Sequence, residues 1–206
     1  MPPQTLFVRR AAFSIEDPWA VPPRCQRVPL RRAADGAPPR LLTDVVVFSD
    51  DEGLNVLFLS KDDGIVATHL RHDAPLYDED VVEIFLAPAA PTRYYEIEVN
   101  PLGTTFDARI DSPDGTRATM RADTGWECVN LFAAVRKTPD ATDTIIRIPF
   151  ASLDARRPRG GEEWRGNFFR IDRSAAHGDE FSAWQATMKN PADFHVTSAF
   201  GRLVFE

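Results

Sequence analysis

The sequence predicts an all-β fold, a two-sheet antiparallel β-sandwich preceded by a Pro/Arg-rich N-terminal arm. Three observations carry this. Short runs rich in Val, Ile, Phe and Tyr recur from Leu41 onward, each bounded by Gly, Pro, Asp or Asn. No window sustains a helical period. Finally, 17 prolines outnumber 11 glycines in 206 residues. Proline neither donates to a ladder nor sits inside a helix, so the elements must be short and punctuated.

Residues 1–40 read as an irregular arm with one or two short edge strands packed on the sandwich. Its stretch VPPRCQRVPLRRAADGAPPR at 21–40 is basic, whereas the remainder of the chain is acidic, and a basic arm of this kind reads as a solvated surface, with docking to an anionic partner as the alternative. Residues 41–206 form the sandwich domain. Its strands, in order, are LLTDVVVFS, LNVLFLS, VVEIFLAP, YYEIEVN, TTFDARID, VNLFAAVRK, DTIIRIPF, NFFRIDR and GRLVFE. DDEG at 50–53 and SPDG at 112–115 supply turns, because Asp bonds its own backbone and Gly accepts positive φ. PFASLDA at 149–155 has room for a single helical turn. Closely spaced antiparallel strands that each bury one face pack as two sheets, in the immunoglobulin or jelly-roll manner.

The formal charge of −7, from 24 basic and 31 acidic residues, argues against nucleic acid as a partner, since little would neutralise phosphates. No apolar run is long enough to span a membrane. The start, MPPQTLFVRRAAF, lacks an apolar segment behind its positive charges, so no signal peptide is visible and the sequence reads as cytoplasmic. Cys25 and Cys128 leave one disulfide open, with buried free thiols as the plainer reading. His69 and His72 fall on opposite faces of an extended segment, and His177 and His195 complete no zinc set. Nucleophile-elbow, metalloprotease, P-loop and dinucleotide motifs are missing from the sequence, so the expectation is not an enzyme.

Alternation within strands separates two faces. Tyr95, Ile97 and Val99 point one way, and Tyr94, Glu96, Glu98 and Asn100 the other. Val82, Ile84 and Leu86 oppose Val81, Glu83 and Phe85, while Phe169 and Ile171 oppose Phe168, Arg170 and Asp172. Glu83, Glu98 and Arg170 thus sit in mid-strand, where a charge is costly unless exposed or paired. Either this is a solvated outer face, or it is a polar groove where carboxylates and a guanidinium meet a hydroxylated ligand.

Four segments carry a family resemblance. DDEGLNVLFLSKDDGIVATHLRHDAPLYDEDVVEIFLAP at 50–88, YYEIEVNPLGTTFDARID at 94–111, GNFFRIDR at 166–173 and AWQATMKNPADFHVTSAFGRLVF at 183–205 resemble, in order, family 9 carbohydrate-binding modules and their DOMON-like relatives. The resemblance implies a β-sandwich and non-catalytic binding of a saccharide, in a family used mostly outside cells. Tyr77 and Phe194 fall where sugar-binding members place tryptophans that sandwich a ring. Glu83 and Asn100 match the family's polar positions, Glu98 replaces a base, and Arg170 replaces an amide. A Glu98–Arg170 pair would balance the groove, or would fill it and leave a structural or protein-interaction sandwich with a degenerate sugar site. Trp164 and Trp184 read as core, whereas Trp126 or Trp19 could add a stacking surface. Relatives often hold structural calcium (Ca2+), and the acidic loops at 50–52, 62–63 and 78–80 carry suitable oxygens. Haem, bound by some DOMON-like relatives, would need Met120, Met188 or His195 and lacks an attachment motif. For a glycoside-processing enzyme, Glu83 with Glu98 is the carboxylate pair to test.

Overall fold

Strand-forming segments appear where period-two alternation and turn residues place them. The computed structural model describes residues 3–20 and 22–206. In chain order its strands are β1 (Thr5–Arg10), β2 (Arg27–Pro29), β3 (Arg31–Arg32), β4 (Thr43–Ser49), β5 (Gly53–Lys61), β6 (Val81–Ala87), β7 (Arg93–Val99), β8 (Thr105–Asp111), β9 (Arg121–Asp123), β10 (Phe132–Thr138), β11 (Ala141–Pro149), β12 (Glu163–Asp172), β13 (Glu180–Ala183) and β14 (Gly201–Phe205). Single 3-10 turns lie at Leu76–Asp78, Phe150–Leu153 and Thr197–Ala199, the second of them in the PFASLDA segment.

One sheet runs β10-β11-β5-β4, with β2 also on β4. The other runs β14-β12-β6-β7-β8-β9, with β13 beside the second half of β12 and β3 beside β13. β1 joins them, pairing in parallel with β14 through Thr5–Val8 and then with β4 through Arg9 and Arg10. Of the arm's strands, β2 and β3 each pair on one side, whereas β1 is an interior strand. The physical reason is that Leu6 and Val8 share a face and are fully buried, and that face finds cover only between the sheets. Met1, Pro2 and Val21 of the expected arm lie outside the described residues.

The inner faces meet in one core. Val45, Val47, Val56, Phe58, Ile146 and Ile148 face Val82, Ile84, Leu86, Ile97, Val99 and Phe168, with Trp164 and Trp184 among them. Burying a side chain of this size contributes about 1.5–3 kcal/mol. Cys128 lies in this core, Cys25 lies over the outer face of the first sheet, and both are free thiols.

The outer faces are covered too. Phe13, Trp19 and Cys25 lie over Val46, Leu57 and Ile145 on the first sheet. On the second sheet, Ala74 and Leu76 from one crossing segment, with Phe194 and Phe200 from another, cover Val81, Phe85, Tyr94, Phe106 and Phe169. This is why β6 is buried at every position and reads as a near-continuous apolar run.

Gly166 and Gly201 oppose each other across β12 and β14. A Cβ on Gly201 would meet Trp184 Cζ3 at 2.3 Å. Gly201→Ala is expected to lower stability by about 1–3 kcal/mol in denaturant unfolding, the usual cost of overpacking. Gly125→Ala, whose Cβ meets only Asp123 Oδ1 at 3.6 Å, should change it by less than about 0.5 kcal/mol.

Candidate functional site

Strand register places three carboxylates together. Phe169, Glu83, Glu98 and Phe106 are successive partners across β12, β6, β7 and β8, and Phe85, Glu96 and Ala108 form the next row. Paired residues share a face, so Glu83, Glu96 and Glu98 all lie on the outer face of the second sheet, beneath the covering segments. Their carboxylate oxygens come within 4.8 Å of one another. Glu98 is fully buried and Glu83 and Glu96 nearly so. Neither oxygen of Glu98, nor Oε1 of Glu83, has a hydrogen-bond partner among the described residues.

A cavity of about 430 Å³ opens above them. Glu83 and Glu96 line its floor, Tyr77, Phe106 and Phe194 its walls, and Arg117, Asp193 and His195 its rim. Phe194 is stacked on Phe169, with ring centroids 4.2 Å apart and planes 14° apart. Tyr77 is half-exposed and stands edge-on to Phe106 at 6.1 Å. His195 Nδ1 is hydrogen-bonded to the Tyr94 hydroxyl at 2.6 Å, and its ring lies 5.0 Å from that of Phe85.

Burial dominates the electrostatics here. It raises the Glu83 and Glu98 carboxyls well above the ordinary range, and repulsion from neighbouring carboxylates adds to the effect. Glu96 is pushed up to about 7, again by burial, while the neighbouring Glu98 carboxyl and the charge of Arg117 both pull it down. Burial lowers His195 to about 4, so its ring is neutral. A second cavity, of about 460 Å³ beside Tyr95 and Trp164, has its Arg93 and Arg156 paired with Asp111 and Glu162.

The predicted site residues separate. Tyr77, Glu83 and Phe194 line the first cavity, with Glu98 directly behind its floor. Arg170 does not join them, and the expected Glu98–Arg170 pair does not form. Register pairs Arg170 with Val82, on the inner face. There its guanidinium donates to Asp172 Oδ1 at 2.8 Å, the Lys61 carbonyl at 2.6 Å and Thr43 Oγ1 at 3.2 Å. Asn100 is also elsewhere. Its Oδ1 accepts from the backbone N–H groups of Leu102 and Thr104, and its Nδ2 donates to the His69 carbonyl, closing the β7–β8 turn. Trp126 packs on Tyr95 at 4.8 Å beside the inter-sheet core, and Trp19 lies under Arg136 on the first sheet, so neither offers a stacking surface here.

Sequence reasoning missed Glu96, Phe106, Arg117 and His195. Alternation had put Glu96 on the face of Glu98, which was the available signal. Several carboxylates of the acidic loops accept hydrogen bonds from the protein. Asp50 accepts from the Glu52 and Gly53 amides and from Arg147; Glu79 accepts from Thr68 and His69; Asp80 accepts from Val66 and Arg173. Among the described residues, two clusters bring metal-ligating atoms together: Glu83, Glu96 and Glu98, and the more exposed His72, Asp73 and Glu127.

Residues 43–205 match the family described as carbohydrate-binding family 9. A protein from Arthroderma benhamiae named "Extracellular protein" is 27% identical over 141 residues, 63% of this chain. The match spans 62% of that relative's length. A candidate carbohydrate-binding protein from Bacteroides uniformis has a similar fold, with TM-score 0.76 and 18% identity, over 99% of this chain and all of its own. A family 9 carbohydrate-binding module from Caldicellulosiruptor kristjanssonii is similar in its complexes with cellotriose (TM-score 0.68) and glucose (0.70), each 15% identical over 98% of this chain and 94% and 96% of their own. These similarities establish the β-sandwich fold. Among the described residues no helix is long and apolar enough to cross a membrane.

The carboxylate cluster makes stability depend on pH. Glu96 titrates near 7 when folded and at about 4.3 when unfolded, so the folded state holds the extra proton and stability falls as pH rises through that window. Glu83 and Glu98 act in the same direction, as do Asp80 and Asp107, each raised to about 6 by burial. His195 opposes them, but only below about pH 6.5, where the unfolded imidazole is protonated. Thermal unfolding should therefore show Tm falling from near-neutral to mildly alkaline pH. Glu98→Gln should flatten that slope and raise stability by about 1–3 kcal/mol at its alkaline end. An unchanged slope would contradict the buried-carboxylate account.

Proposed function

The chain belongs to carbohydrate-binding family 9, and from that premise we propose that it is a non-catalytic saccharide-binding module whose site is the cavity between Tyr77 and Phe194. The observation that carries this reading is the meeting of aromatic walls and buried carboxyls on one sheet face. A pyranose presents an apolar C–H face and a rim of hydroxyls. Aromatic planes take the face, and carboxyl groups take the rim through charge-assisted bonds.

Other readings have less support. A degenerate structural sandwich rested on Arg170 filling the groove, and Arg170 is engaged on the opposite face. Glycoside cleavage needs one carboxyl kept protonated and one kept ionised. Here all three are shifted upward together, which favours binding over cleavage. The family and the name of the Arthroderma relative favour an extracellular setting over the cytoplasmic one.

Isothermal titration with a panel of neutral and amino saccharides tests the reading. Tyr77→Ala is expected to weaken the best ligand by about tenfold or more, the cost of losing an aromatic anchor. Because Tyr77 is half-exposed, folding should be little affected. Trp126→Ala should leave affinity unchanged. If no saccharide binds at millimolar concentration, or reporter glycosides are hydrolysed, the reading fails.

A further inference from the structure

The floor of the cavity gathers more carboxyl groups than a neutral sugar calls for. We propose that the saccharide it takes bears a free amino group, held as an ammonium by Glu83, Glu96 and Glu98. This rests on the reading of the cavity as a saccharide site.

Geometry comes first. An ammonium has three N–H donors and no acceptor, and three carboxylates converge within 4.8 Å. A second, separate observation is that Oε1 of Glu83, which lines the cavity and is 2% exposed, is unpartnered among the described residues, as are both oxygens of Glu98 next to it. A buried carboxylate without a partner is unfavourable, and a cation in the cavity removes that penalty.

The neighbouring cations are committed elsewhere. Arg117 donates to Asp193 at 3.2 Å and Arg173 to Asp179 at 2.7 Å. His195 is neutral and hydrogen-bonded to Tyr94. Among the described residues neither arginine donates to the cluster, which leaves the place of a cation to the ligand.

Size and walls decide what kind of cation. A cavity of about 430 Å³ far exceeds the roughly 30 Å³ of one water-sized occupant. Calcium seeks six to eight oxygens around one point, whereas the remaining lining is largely apolar, with Phe106, Ile110, Met120 and Phe194. Aromatic faces attract both a sugar ring and an organic cation. A ring bearing an ammonium fits the walls and the floor together; a bare ion uses only the floor.

The test is titration calorimetry on the whole chain near neutral pH. Three probes are compared: the β-1,4-linked glucosamine trisaccharide, its fully N-acetylated form, and cellotriose. The glucosamine trisaccharide should bind about tenfold or more tightly than either neutral probe, as expected for charge-assisted bonds to buried carboxylates. Glu98→Gln, nearly isosteric, should abolish that preference while keeping the fold, and Glu83→Gln serves as an independent second variant. If cellotriose binds as tightly as the amino sugar, the inference is overturned and the saccharide site stands. If none of the probes binds, both fall. If calcium chloride binds with a dependence on Glu98 and excludes the amino sugar, the cluster is a metal site and the inference is overturned.

Discussion

Because the second sheet is covered on both faces, every polar side chain on it must find its partner inside the protein or in a ligand. Most do. Arg170 is satisfied by Asp172, Thr43 and the Lys61 carbonyl. Asn100 closes a turn, and Asn167 exchanges hydrogen bonds with the backbone of Gln185. Among the described residues, Glu98, flanked by Glu83 and Glu96, is the buried residue left with two unpartnered oxygens. The same constraint that makes the strands apolar makes this cluster costly, and it lies where the cover opens into a cavity.

The cavity divides its work between rigid and irregular parts. Its floor is built from β6 and β7, whose positions are set by ladder bonds on both sides. Its walls come partly from the segments that cover the sheet. Phe194 is anchored by its stack on Phe169, while Tyr77, half-exposed, stands at the mouth. The Arg117–Asp193 ion pair, at 3.1 Å, lies at the rim. Connecting segments on a rigid sheet are where binding residues commonly sit.

Much of this was legible in the sequence, and the failures have physical causes. Period-two alternation put Glu96 and Glu98 on one side of β7 and Ile97 on the other, as found. Alternation is a property of one strand, however. It says that Arg170 opposes Phe169 but not which of them shares a face with Glu83, and that depends on the register between β12 and β6. The placement of β1 between two sheets was hidden for a similar reason, since its partners β14 and β4 are remote in sequence. The family resemblance located Tyr77 and Phe194. It did not locate Arg117 or His195, which reach the cavity through the packing of long connections.

The most direct measurement is a crystal structure of the protein soaked with the glucosamine trisaccharide. The account predicts a sugar ring between Tyr77 and Phe194, with its amino nitrogen within hydrogen-bond distance of Glu83, Glu96 or Glu98. A ring bound elsewhere, with this cavity holding only water, would contradict it.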